Sequence, residues 1–255
     1  MNPNRDLTRL AAGIADSHYA DLAARPRGRA STYDGNVAAV FNDLAHACAE
    51  FITGADAIVG CVAWLTSPVV LRALATVPAV SIIVQKEDFL RPDSKGSRDE
   101  TKADYARLHG LYRSALPQSS ALSFASADEQ IEPVRCMGVE NRTQRVAMPR
   151  MHHKFLVRFS TTARHAYESP FSRVHGAEPE NDHDHAVLGA LQAQAVWTGS
   201  FNMTHNGDRS LENAVVIRDR AVADRYTDEW SWVLAMSEPL DWKSEWVEPQ
   251  WRFGT

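Results

Sequence analysis

The 255-residue chain has few cysteines, no long apolar run and no excess of positive charge, and each shortage excludes a class of protein. Its three cysteines, Cys48, Cys61 and Cys136, lie far apart without C-x-x-C spacing. They indicate buried thiols in a reducing cytoplasm rather than a disulfide framework or a zinc site. No apolar run approaches the ~20 residues that cross a bilayer, and residues 1–6 have no apolar signal core. We therefore expect a cytoplasmic protein that does not act on a membrane.

The net charge of −5 argues against a protein that coats nucleic acid non-specifically, but the charge is unevenly distributed. Residues 131–164 contain seven basic and two acidic side chains, namely Arg135, Arg142, Arg145, Arg150, Lys154, Arg158 and Arg164 against Glu132 and Glu140. One interpretation is a solvated loop with scattered arginines. The other is a surface that contacts a phosphate backbone, with Arg142, Arg145 and Arg150 as candidate substrate-binding residues.

The apolar spacing predicts one large α/β domain over residues 36–255, preceded by an arm over residues 1–35 with a helix near 7–24 and a basic cluster at 25–29. We predict helices over 37–51, 68–74, 102–115 and 221–236, and strands over 57–64, 80–84, 121–124, 155–157, 195–198 and 212–217. Ser67 before Pro68 is a good start for the second helix. The β-α-β order near residue 70 predicts a parallel strand pair joined by a right-handed crossover.

Two features outside these elements allow more than one interpretation. An inserted loop at about 160–190 contains His183 and His185 interleaved with Asp182 and Asp184, a pattern that fits a divalent metal or a solvated loop. Five tryptophans fall between Trp230 and Trp251. They could stack on bases, or pack against the core or a second subunit.

Two short segments carry side chains suited to binding a phosphate. Because side chains alternate along a strand, His152 and Lys154 should face one way and His153 the other. Ser200 and Asn202 should likewise share a face after the strand at 195–198. An imidazole, a fixed cation and neutral hydrogen-bonding groups form a set that phosphodiester chemistry requires. The alternatives without a function are an ordinary surface strand for the first segment and a capped turn for the second.

These segments resemble the signature of the phospholipase D superfamily. The resemblance lies in H-x-K at His152 and Lys154, G-S-F-N at 199–202 and E-N-A-V-V-I at 212–217, in that order. It is greatest to the small bacterial endonucleases with a single motif copy. The segments 57–68 and 79–84 are similar to the family's first two strands, so the resemblance covers about residues 40–235. It implies an α/β fold, a phospholipase D-like sandwich with a mixed central β-sheet flanked by helices.

The sequence departs from the family's pattern at one motif position. H-x-K-x4-D would place an aspartate at position 159, where this chain has Phe159. A segment of about 40 residues also replaces the usual short hairpin between the two motif halves. In the family that aspartate looks like a supporting residue, so we expect activity to survive its absence. Asp182 or Asp184 in the inserted loop could substitute for it.

The resemblance also implies a function. It implies a phosphodiesterase that needs no metal or cofactor, most simply a nuclease that prefers DNA to RNA. A single motif implies a homodimer with the active site at its two-fold axis, where His152 acts through a phosphohistidine. Lys154, Ser200 and Asn202 would bind phosphate oxygens, and Glu212 would hold an imidazole. Two alternatives stay open: a phospholipase or phosphatidyl-transfer enzyme, and a catalytically weak module that binds nucleic acid or protein.

Overall fold

The computed structural model of the chain describes residues 31–33, 35–87, 90, 99–112, 130–139, 150–161, 191–244 and 248–249. The strands of its main sheet are β1 (Ser31–Tyr33), β2 (Val37–Val40), β3 (Ala57–Val62), β4 (Ala79–Gln85), β7 (Val134–Met137), β8 (Lys154–Thr161), β9 (Leu191–Gly199), β10 (Ala214–Ile217) and β11 (Glu238–Pro239). A separate pair consists of β5 (Leu111–Tyr112) and β6 (Gln130–Ile131). The helices are α1 (Leu44–Ile52), α2 (Pro68–Leu74), α3 (Asp99–Tyr105) and α4 (Arg220–Ala235).

The main sheet is mixed, and its strands lie in the order β1-β2-β10-β9-β8-β3-β4-β7-β11. β3 and β4 are parallel and joined through α2, as the β-α-β order predicted. Their Val- and Ile-rich sequences are buried along almost their whole length, which is typical of strands covered on both faces. β8 pairs antiparallel with β3 and with β9, and β9 pairs antiparallel with β10. The predicted mixed sheet flanked by helices is confirmed.

Helices cover both faces of this sheet. On one face α1 and α2 pack on side chains that include Ile58, Leu156 and Trp197. On the other face α4 packs on a second cluster around Val59, Phe155 and Val157, as the alternation of side chains in β8 requires. Large apolar side chains pack closely in both clusters. This packing fixes the positions of the strands and so of the groups at their ends.

The cysteines and two of the five tryptophans between Trp230 and Trp251 pack inside the protein. Cys48, Cys61 and Cys136 are buried free thiols, as predicted. Burial raises the pKa of all three, that of Cys136 to about 12. Trp230 and Trp242 are buried in the core, while Trp232 is about half exposed. None of the helices in the described residues is both long and apolar enough to span a bilayer.

The helix predicted over 37–51 is wrong in its first part. Val37–Val40 is strand β2, which pairs antiparallel with β10 along its whole length. The helix begins only at Leu44, after Asp43 with a left-handed backbone (φ 53°). Pairing with a strand from much later in the chain therefore overrides the local helical spacing.

The helix predicted over 102–115 is also too long. α3 ends at Tyr105, and Leu111–Tyr112 pairs as a strand with β6. The predicted helix near 7–24 and the strand at 121–124 lie outside the described residues, as do residues 162–190 of the inserted loop. That loop leaves β8 at Thr161 and enters β9 at Leu191, and these two residues are paired.

Candidate active site

Five strand ends meet at one edge of the sheet. Lys154 at the start of β8 is opposite Val62 at the end of β3, and Gly199 at the end of β9 is opposite Ala214 at the start of β10. β4 runs parallel to β3, so it ends at the same edge. The residues just beyond these strand ends are brought together from five separate parts of the chain.

His152 and Lys154 lie side by side at this edge. Lys154 Nζ is 3.1 Å from both ring nitrogens of His152 and donates a hydrogen bond of 2.9 Å to the His152 carbonyl oxygen. His153 points to the opposite face, where its Nε2 is 3.0 Å from Glu229 of α4 and its ring packs on Phe155. The predicted alternation is confirmed. The His152 side chain is exposed, whereas Lys154 is buried.

The electrostatics of this pair favour the uncharged imidazole. Partial loss of water contact lowers the pKa of His152, and the positive charges of Lys154, Arg150 and His153 lower it further. Burial also lowers the pKa of Lys154, against the opposing negative charge of Glu212. A neutral imidazole beside a fixed cation is suited to attack an electrophile that carries negatively charged oxygens.

The second motif half forms a tight turn beside the first. Ser200 Oγ donates a hydrogen bond to Glu212 and accepts one of 3.1 Å from the backbone N–H of Asn213. Ser200 N–H in turn donates to the Asn213 carbonyl at 3.1 Å. A Cβ at Gly199 would collide with that carbonyl oxygen, so the approach of the two segments requires glycine there.

Asn202 and Glu212 have different surroundings. Within the described residues, Asn202 Oδ1 is buried without a hydrogen-bond partner. A side-chain amide carries an acceptor oxygen and a donor NH₂ group, so Asn202 has the chemistry to form a hydrogen bond with a ligand. Glu212 was expected to hold an imidazole. In the described part of the chain it accepts a hydrogen bond from Ser200, and its negative charge raises the pKa of Lys154.

The predicted basic surface is only partly placed. Arg142 and Arg145 lie outside the described residues. Arg150 forms an ion pair with Glu87, in which Nη1 is 3.0 Å from Oε1, and its side chain is about one third exposed. Asp182, Asp184, His183 and His185 also lie outside the described residues, and within them no group of three or more His, Cys, Asp or Glu side chains could hold a metal ion.

Trp64 and Glu87 also lie at this edge, although no motif in the sequence marks them as site residues. The Trp64 ring meets the His152 ring edge-on at 80°, with 5.5 Å between centroids, and its Nε1 donates to Glu87 Oε1 at 3.1 Å. Glu87 lies two residues beyond β4. Their positions in the sequence could have indicated this, since Trp64 and Glu87 each follow a buried parallel strand whose carboxyl end lies at the site.

Phe159 lies far from these groups. It is fully buried near the other end of β8, opposite Ala57 of β3 and Ala193 of β9, where β8 has an irregularity between Arg158 and Phe159. Its ring belongs to the apolar cluster under α4. The family that this chain resembles has an aspartate at this position. This chain instead has an aromatic ring between two alanines of the neighbouring strands.

Comparisons with known proteins give distant likenesses. No family model matches the chain. An uncharacterized protein, L381 of Acanthamoeba polyphaga mimivirus, is 28% identical in an alignment of 225 residues that covers 83% of this chain and 69% of that protein. Among solved structures, the chain is similar to Nuc from Salmonella typhimurium, described as a phospholipase D family member, with 15% identity and a TM-score of 0.42, covering 79% of this chain and 95% of Nuc. It is also similar to NucT from Helicobacter pylori, with 11% identity and a TM-score of 0.46, covering 80% of this chain and 98% of NucT.

Proposed function

We propose that the protein is a metal-independent phosphodiesterase that cleaves nucleic acid, with DNA preferred, through a covalent phosphohistidine. The observation that carries this proposal is the contact between His152 and Lys154 at the same sheet edge as the Ser200–Glu212 hydrogen bond. A nucleophile with a lowered pKa, a nearly buried cation and a side-chain amide are complementary to a phosphodiester.

In the first step, the neutral His152 imidazole attacks phosphorus. A nitrogen–phosphorus bond forms as the bond to the leaving oxygen breaks, and that oxygen takes a proton from a general acid. Lys154 and Asn202 would stabilise the charge on the non-bridging oxygens, and the Ser200–Glu212 bond would hold the turn that presents Asn202. In the second step, water gives its proton to a general base and attacks phosphorus, which releases His152.

The motif occurs once in the sequence, so one chain supplies one such imidazole, whereas the two steps need a nucleophile and a general acid and base. We propose that two copies of the chain pair about a two-fold axis, so that the partner's His152 protonates the leaving oxygen and then activates water. Exposure of the His152 side chain is compatible with a second copy there.

The first test is a cleavage panel in EDTA. Purified protein is incubated with plasmid DNA, single-stranded DNA, RNA and a phosphatidyl ester, with and without the chelator. We expect cleavage of DNA at the same rate in both conditions. Release of the lipid headgroup alone would indicate a phosphatidyl-transfer enzyme, and binding of nucleic acid without cleavage would indicate a binding module. Cleavage only after a divalent metal is added would contradict the proposal.

The second test measures how activity depends on the number of intact histidines. Wild-type and His152→Ala chains are unfolded together in varying ratios and refolded, and DNA cleavage is measured per total protein. If each site needs both copies, an equal mixture retains about one quarter of wild-type activity, since only one dimer in four has two histidines. Retention of about one half would mean that each chain acts alone. Light scattering on the same samples reports whether dimers are present.

A further inference from the structure

We propose that Glu87 is a positioning residue for His152, acting on its ring through Trp64 and on its charge through Arg150. One carboxylate oxygen, Oε1, accepts both the indole N–H of Trp64 at 3.1 Å and the guanidinium of Arg150 at 3.0 Å. The inference rests on the proposed function for one point, the catalytic role of His152. The contacts themselves belong to the free protein.

The hydrogen bonds of the His152 ring do not fix its orientation, so a further contact is required to do so. Among the described residues, the hydrogen-bonding contact of its ring nitrogens is to Lys154 Nζ, and the two distances are equal at 3.1 Å. Equal distances favour neither nitrogen, and no carboxylate in the described part of the chain is bonded to the ring to set its tautomer. Trp64 supplies the directional contact, since its ring meets the imidazole nearly at a right angle.

Trp64 is itself fixed at both ends. Its backbone follows Ala63, whose N–H donates to the His153 carbonyl at 2.9 Å, so Trp64 enters the site directly beside His152. Its indole N–H is bound by Glu87, and a bound N–H restricts the rotation of the ring. Glu87 therefore determines which edge of the indole the imidazole meets, although it does not touch His152.

The second connection is electrostatic. In the part of the chain that the structure describes, the charged groups around His152 are Lys154 and Arg150, with His153 next to it in sequence, Glu212 acting on Lys154, and Glu87 just after β4. Arg150 lowers the pKa of His152, and Glu87 lies against Arg150. Removing the carboxylate leaves Arg150 uncompensated and lowers the pKa of His152 further. Removing the guanidinium leaves the carboxylate uncompensated and raises it.

The experiment is a pH titration of the His152 imidazole by two-dimensional NMR of histidine-labelled protein, with the signal assigned by its loss in His152→Ala. We expect Glu87→Gln to lower the pKa of His152 and Arg150→Gln to raise it, each by about half a pH unit at low ionic strength and less at high salt. The double variant should return to the wild-type value, because it removes both charges. Shifts in the same direction, or no shift in either variant, would overturn the inference.

A kinetic measurement separates positioning from substrate binding. Trp64→Phe keeps an aromatic edge but loses the donor to Glu87, so we expect a lower kcat at an unchanged KM. Adding Glu87→Gln should then reduce kcat less than it does in the wild-type protein, because one of the two connections is already lost. A raised KM at an unchanged kcat would show instead that Trp64 binds the substrate, which contradicts the positioning role. The titration needs no turnover, so a protein that cleaves no phosphodiester would refute the proposed function while still deciding the role of Glu87.

Discussion

Replacing His152 by alanine is expected to reduce phosphodiester cleavage by at least about 10⁴-fold, because the substitution removes the nucleophile and the general acid of the first step and the general base of the second. In a symmetric dimer both roles are lost at once, since each copy contributes the same side chain. The measurement is single-turnover cleavage of a labelled DNA duplex in EDTA. Rapid denaturation with SDS at alkaline pH, where the N–P bond of a phosphohistidine is stable, should trap labelled phosphoprotein from the wild type and none from the variant.

His153 provides the matched control for this substitution. It is the same residue type in the next position, but it faces α4 and pairs with Glu229 at 3.0 Å. His153→Ala removes an exposed pair that is worth little, so we expect cleavage within about threefold of wild type. The two variants should also have the same denaturation midpoint and the same assembly size. Robust EDTA-resistant cleavage by His152→Ala would rule out the phosphohistidine mechanism.

Restoring the family's aspartate by Phe159→Asp is expected to unfold much of the protein. Removing a buried phenylalanine side chain costs about 3–5 kcal/mol, and an unpaired buried carboxylate adds to that cost. The total stability of a domain is only about 5–15 kcal/mol, so the variant should lose most of it. Asp56, whose carboxylate binds Thr161 in the same region, would add charge repulsion. The measurement is the urea midpoint at pH 7 against wild type.

Phe159→Leu is the control for the volume change, and we expect it to cost less than half as much. The pH dependence identifies the buried charge. Burial raises the pKa of the new carboxyl in the folded state, so its cost is present at neutral pH and falls as the pH drops and the carboxyl protonates. A midpoint equal to that of wild type would show that position 159 tolerates a carboxylate, and that its ring is not needed in the core.

The strands that build the site could be predicted because their own sequences are decisive. The segments that became β3, β4 and β8 are rich in Val, Ile or Phe and are mostly buried, and residues 195–197 of β9 are apolar and buried. The Val37–Val40 segment could not be assigned in this way. Four successive apolar residues fit either a helix or a strand, and the partner that decides, β10, comes from the far end of the sequence.

The same difference between local and long-range determinants applies to the candidate site. The sequence places His152 next to Lys154 because alternation along a strand is local, and the short distances between the two side chains confirm that neighbourhood. The contacts of Trp64, Glu87 and Arg150 depend on the parallel register of β3 with β4, which no local pattern contains. The partner of Glu212 likewise depends on how the turn after β9 closes.

The inserted loop leaves and rejoins the sheet at the pair Thr161–Leu191, whereas Lys154 and Gly199 lie at the opposite end of the same two strands. Lys154 and Thr161 are the first and last of the eight residues of β8, so about 23 Å separates the two ends at the usual rise of a strand. Lengthening a loop adds only about 0.6 kcal/mol per doubling. Evolution could thus have extended this connection while the reactive end of the hairpin kept its geometry, and an affinity tag could be placed there for the same reason.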